Sequence, residues 1–115
     1  MQPELCDRLL NFGIHVILLL RKLPNNLEYR TIKFQLIKSA TSSGANYEEA
    51  QGGSSRKDFK NKVLISLKEM RESNYWLRII RGINENVELN TEIETMEKES
   101  AELKNILGSI ASKLD

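Results

Sequence analysis

Proline is nearly missing from this chain. Only Pro3 and Pro24 occur among 115 residues, so everything after Pro24 is free of the residue that most strongly interrupts a helix. Cysteine is limited to Cys6, which rules out an internal disulfide and fits a reducing, cytoplasmic setting. Histidine is limited to His15, which removes most histidine-based metal and catalytic constellations. The longest apolar run, residues 14–20, contains His15 and is far too short to cross a bilayer. Glu4 and Asp7 precede it and no small-residue cleavage site follows, unlike a signal peptide. A cytoplasmic protein with no membrane contact and no targeting segment is expected. An excess of either charge is also lacking, since the net charge is +1. With 29% charged and 40% apolar residues, the length suits one folded domain around one core.

What is present is dominated by residues 35–50, QLIKSATSSGANYEEA. Ser39, Ala40, Ser42, Ser43 and Gly44 crowd into six positions, broken by Thr41. Gly in a helix interior costs about 1 kcal/mol relative to Ala, and Ser and Thr cost some tenths each. A solvated helix would not favour that composition. Small side chains do allow a neighbour to approach closely, so the segment reads as the tightly packed inner helix of a bundle.

Four helices are predicted, at about 4–22, 27–51, 55–81 and 90–114. In the first, Leu5, Leu9, Phe12, Val16, Leu19 and Leu23 share one face by steps of three and four, and Leu10, Ile14 and Ile17 form a second apolar row. Pro24 with Asn25 and Asn26 makes the first turn. The inward row of the second helix is Ile32, Leu36, Ala40, Ser43, Tyr47 and Ala50. Gly52 and Gly53 end it, and Ser54 or Ser55 caps the next helix. The third helix has one face of Phe59, Val63, Leu67, Met70 and Leu77, and another of Ile65, Trp76, Ile79 and Ile83, with the next turn from Gly82 through Asn86. The fourth carries a seam of Ile93, Met96, Ser100, Leu103, Leu107, Ile110 and Leu114, with Ser100 as its polar layer. Long helices with short links specify an all-α, antiparallel up-down four-helix bundle as one domain over 1–115. The two apolar surfaces on the first and third helices call for cover beyond one small fold, which a second copy supplies.

Charge is segregated along the chain. Residues 54–83 hold eight Lys/Arg against three Asp/Glu, and residues 84–115 hold three against eight. Either the segments pair with each other or one surface is a basic patch.

The run Gln35 through Ala50 resembles the signature of the bacterial four helix bundle family, also called the 23S rRNA intervening-sequence protein family. Asp58-Phe59 with Lys62, then Leu67-Lys68-Glu69, Glu72-Ser73 and Tyr75-Trp76-Leu77, resemble its second block, while Asn11-Phe12 and Leu23-Pro24 resemble its start. The fourth helix is similar only in pattern. The resemblance implies a four-helix bundle assembled as a ring-shaped homopentamer, with no enzymatic activity. A similar protein, the accessory protein of diversity-generating retroelements, binds nucleic acid and a reverse transcriptase through a basic surface. That relative is strongly basic overall, whereas this chain is near neutral.

Three groups of residues bear on function. Glu48, Glu49, Glu69 and Glu72 lie on the second and third helices, but the Glu-x-x-His pairs of a di-metal bundle are missing, so no metal or cofactor is expected. Asn46 and Tyr47 need hydrogen-bond partners at their depth, and Ser43, Ser66 and Ser73 are available. A structural polar network of Ser43, Asn46, Tyr47, Glu49, Glu69 and Glu72 is therefore expected. At 100° per residue, Lys57, Lys60, Lys68, Arg71 and Arg78 of the third helix fall within about 80° of one another, with Tyr75 inside the band and Leu64 interrupting it. Cations to neutralise phosphates beside an aromatic ring to stack on a base are what RNA or DNA binding requires. The same band also fits a solvated face or a partner for the acidic fourth helix. The expected function is a non-enzymatic homo-oligomer contacting nucleic acid through the third helix. A scaffold for a partner protein, and more remotely a carboxylate metal enzyme, are the alternatives.

Overall fold

The structure is a computed structural model that describes residues 3–53 and 55–114. Four helices follow in order: α1 (Pro3–Leu20), α2 (Leu27–Gln51), α3 (Arg56–Ile83) and α4 (Asn90–Ser112), the last entered through a 3-10 turn at Val87–Leu89. Each packs on two neighbours, α1 on α2, α2 on α3, α3 on α4 and α4 back on α1, while the diagonal pairs stay apart. The result is an antiparallel up-down four-helix bundle measuring 46 × 22 × 20 Å, the fold class that the periodicities predict. No strand occurs among the described residues.

The helix ends follow from local chemistry. Pro24 disfavours helical backbone at Leu23. The chain leaves α1 through a tighter turn, Lys22 N–H to Leu19 O at 2.9 Å, so the helix stops two residues short of position 22. Lys33 Nζ then donates to the Leu23 carbonyl at 2.9 Å. Asn26 caps α2 by accepting the Tyr29 N–H at 2.9 Å, and Ser55 caps α3 by accepting the Asp58 N–H at 3.0 Å. Such caps each contribute about 1 kcal/mol. Ser54, the other candidate cap, lies outside the described residues.

The turn expected at Gly82 forms later. α3 runs through Gly82 to Ile83, because the asparagines beyond it supply the turn's hydrogen bonds. Asn84 donates to the Asn86 carbonyl and to Asn90 Oδ1, both at 2.8 Å, and Asn86 Oδ1 accepts the Glu88 N–H at 3.0 Å.

The core takes the inward rows of all four helices. Leu9, Phe12, Val16, Leu19, Leu36, Tyr47, Val63, Met70, Leu77, Leu103 and Leu107 are buried. Two expectations shift. Ile80 of α3 is fully buried, whereas Phe59 packs half-buried at the core's edge. At the end of α4, Ala111 is buried while Ile110, and Leu114 just beyond the helix, are half-buried, since a straight helix of 3.6 residues per turn drifts off a strict heptad seam.

The small-residue stretch of α2 sits between two close neighbours. A Cβ on Gly44 would stand 3.3 Å from Leu9 Cβ and 3.4 Å from Leu9 backbone, so α1 crosses there at near-minimal distance. On the adjoining side, Ser39 and Ser43 meet α3. Close contact on both sides offsets the weak helix propensity of these residues.

Candidate nucleic-acid interface

The azimuth of α3 is set by polar pairs that its buried edges make. Ser43 Oγ donates to the Ser66 carbonyl at 2.8 Å and Ser66 Oγ donates to the Ser43 carbonyl at 2.7 Å, a reciprocal clasp between α2 and α3. One repeat further on, Ser39 and Ser73 hydroxyls lie 2.8 Å apart. On the side facing α4, Asn74 Nδ2 donates to Ser100 Oγ at 2.9 Å, and Ser100 Oγ donates to the Glu97 carbonyl at 2.7 Å. Among the described residues no buried side-chain nitrogen or oxygen lacks a partner.

The expected polar network is divided by this arrangement. Ser43 belongs to the clasp. Tyr47 is fully buried beside it. Asn46 is half-buried and donates within its own helix, to the Ser42 carbonyl at 2.9 Å and to Ser42 Oγ at 3.0 Å. The carboxylates stay at the rim. Glu49 pairs with Lys62 at 2.9 Å, Glu72 accepts from the Trp76 indole N–H at 3.1 Å, and Glu69 enters through its backbone carbonyl, which accepts from Ser73 at 3.0 Å. Asn74 escaped the sequence reading. Its signal was its place directly after Ser73, facing the lone polar layer of α4. Among the described residues no three or more His, Cys, Asp or Glu side chains are grouped as metal ligands.

The opposite side of α3 is basic. Lys57, Lys68, Arg71, Tyr75 and Arg78 are exposed and Lys60 is half-buried. Lys57, Lys68 and Arg71 make no ion pair among the described residues. Arg78 Nε donates to Asn74 Oδ1 at 3.0 Å, and its guanidinium carbon lies 5.7 Å from the centre of the Tyr75 ring, within cation–π range. Tyr75 meets Trp76 edge-on at 5.2 Å.

Among the described residues, four of the five α4 glutamates form ion pairs, most of them with α1 or the turn that follows it. Arg8 grips Glu99 with two hydrogen bonds, at 2.7 and 3.2 Å, and reaches Glu102 at 3.1 Å, while Lys22 holds Glu92 at 2.9 Å. Toward α3, Glu97 takes Arg81 at 2.5 Å, beyond the end of the basic band.

The model of the 23S rRNA-intervening sequence proteins matches residues 3–109. The chain belongs to that family. It is also similar to a protein of unknown function from the S23 ribosomal protein family of Bacteroides thetaiotaomicron. The two share 34% identity over 93% of this chain and 97% of the other, with a TM-score of 0.80. No curated protein matches.

A second surface lies between α1 and α2. Leu10 and Ile14 of the second apolar row are exposed and Ile17 is half-exposed. With Gly13, Thr41 and Ala45 they line a groove of about 320 Å³. Phe34, 66% exposed, and Ile37 extend the same apolar side along α2. Cys6 sits half-buried at the groove's end, where burial, followed by the nearby Glu48 and Asp7, pushes its thiol pKa up. Among the described residues no helix is long and apolar enough to cross a membrane.

Proposed function

We propose that this chain is a non-enzymatic cytoplasmic protein that assembles into a homo-oligomer, a pentamer, and binds RNA or DNA through the basic face of α3. The observation that carries the reading is that Lys57, Lys68 and Arg71 are exposed without a carboxylate partner among the described residues, while Glu92, Glu97, Glu99 and Glu102 of α4 are paired with Lys22, Arg81 and Arg8. Unneutralised cations beside the exposed ring of Tyr75 suit phosphates and an unstacked base. The family name makes 23S rRNA the first nucleic acid to test.

Retention of a labelled RNA across a salt series tests it. Wild type is expected to bind, with affinity falling steeply as salt rises. The Lys57→Glu/Lys68→Glu/Arg71→Glu variant is expected to lose binding, because each phosphate contact on single strands contributes about 0.7 to the salt slope. Equal binding by wild type and variant would sink the reading.

The apolar groove between α1 and α2 supports self-association. Light scattering is expected to give about five times the chain mass of 13.2 kDa. If the particle is monomeric and the groove instead captures another protein, the scaffold alternative takes over.

A further inference from the structure

A cleft of about 480 Å³ opens between α3 and α4, lined by Arg71, Asn74, Arg78, Lys104, Asn105 and Gly108. Three of these residues are cations, drawn from two helices, and among the described residues no carboxylate lines the cleft. Like charges converging on one concave surface repel unless something negative lies between them. Nothing in the packing demands the convergence, since Arg71 and Arg78 are exposed and Lys104 is half-exposed.

The cleft is also built. Asn74 is 7% exposed, and both ends of its amide are engaged: Nδ2 donates to Ser100 Oγ at 2.9 Å and Oδ1 accepts from Arg78 Nε at 3.0 Å. A buried amide thereby orients the Arg78 fork. Its two terminal amino groups make no hydrogen bond or ion pair among the described residues. At the other end, Gly108 leaves the wall open, for a Cβ there would meet no heavy atom within 4 Å.

We propose that this cleft is a phosphate-binding seat in which Arg71, Arg78 and Lys104 share one phosphate group and the Asn105 amide adds a hydrogen bond. A single arginine satisfies a carboxylate through two parallel bonds, whereas a tetrahedral anion offers oxygens in several directions and matches cations arriving from two helices. The phosphate arrives either as the free ion or as the backbone of a nucleic acid. In the second case the seat deepens the interface reading above, on which that identity rests. It adds Lys104 and Asn105 of α4 to a surface otherwise confined to α3.

The test uses Lys104 and Gly108, neither of which belongs to the α3 band. Heteronuclear NMR of the full chain follows the Arg78 Nε–H and Asn105 side-chain amide signals during titration with inorganic phosphate, with acetate at matched ionic strength as control. Phosphate is expected to shift both signals and acetate to leave them in place. Gly108→Glu sends a carboxylate into open space, so it is expected to keep the helical circular dichroism of wild type and weaken phosphate binding roughly tenfold, the scale of one lost charge-assisted contact. Lys104→Ala weakens it similarly. If phosphate moves these signals no more than acetate, or if both variants bind phosphate as wild type does, the seat is overturned. A short oligoribonucleotide separates the sources. Weaker binding and a salt slope lower by about 0.7 in Lys104→Ala identify the backbone phosphate. Phosphate shifts without any RNA binding by wild type uphold the seat for the free ion and remove the nucleic-acid reading. RNA binding that ignores both variants, with no phosphate shift, removes the seat and leaves the α3 band standing.

Discussion

The two long sides of α3 follow opposite rules. On the side turned toward α2 and α4, Ser66, Ser73 and Asn74 are buried, and each has a partner at hydrogen-bond distance on a neighbouring helix. On the side turned outward, Lys57, Lys68 and Arg71 lie on the same exposed face as Leu64 and Tyr75 and make no ion pair among the described residues. Where the chain meets itself, polar groups are satisfied within the molecule, because an unpaired buried one costs about 1–3 kcal/mol. Where it meets solvent, charge that the fold does not use remains available to another molecule. Folding energetics should therefore respond to the first side and binding to the second.

Substitutions that add bulk to the inner side should have the largest effect. Ser43→Leu forces extra carbons between α2 and α3 where Ser66 sits at 2.8 Å, and overpacking of this kind costs about 3 kcal/mol. Chemical denaturation should show the midpoint falling with an unchanged slope. An effect under about 0.5 kcal/mol, the usual range for surface positions, would erase the distinction between the two sides. Removal of one hydroxyl sharpens the picture. Ser66→Ala should cost about 1 kcal/mol, and Ser43→Ala with Ser66→Ala should cost less than the separate losses together, because the clasp is shared. Strict additivity in a double-mutant cycle would mean that the two hydroxyls act independently. On the outer side, Lys68→Gln should alter stability by less than about 0.5 kcal/mol while flattening the salt dependence of nucleic-acid binding. A clear loss of stability would show that Lys68 has a structural partner.

The smallest effect concerns pH at the α1–α2 groove. The Cys6 thiol has its pKa raised in the folded chain, first by burial. The folded state therefore holds this proton more tightly than the unfolded state. The sign is that stability is unaffected below the ordinary thiol range and declines slightly as pH climbs through it, when the unfolded chain ionises first. Alkylation of Cys6 in native protein should require a higher pH than alkylation of the denatured chain. Equal pH midpoints would place the thiol in open solvent.

Helix number, most of each inward face and the capping residues were legible in residue order alone. Such features depend on neighbours within four positions: Asn26 and Ser55 bond N–H groups three residues away, and Leu5, Leu9, Phe12, Val16 and Leu19 align through the helical repeat itself. The small residues of α2 announced close packing for the same reason. The site was legible in its residue types but not in its pairings. Whether the acids of α4 would settle on α3 or on α1 depended on the rotation of α4 between two neighbours, and Arg8 with Glu99 and Glu102 lies 91 positions and more from any local signal. The meeting of Lys104 with Arg71 and Arg78, and of Asn74 with Ser100, likewise depends on how far one rod slides along another. Register and rotation emerge only when whole faces are fitted together, since many side chains must be buried at once and no single residue carries that information.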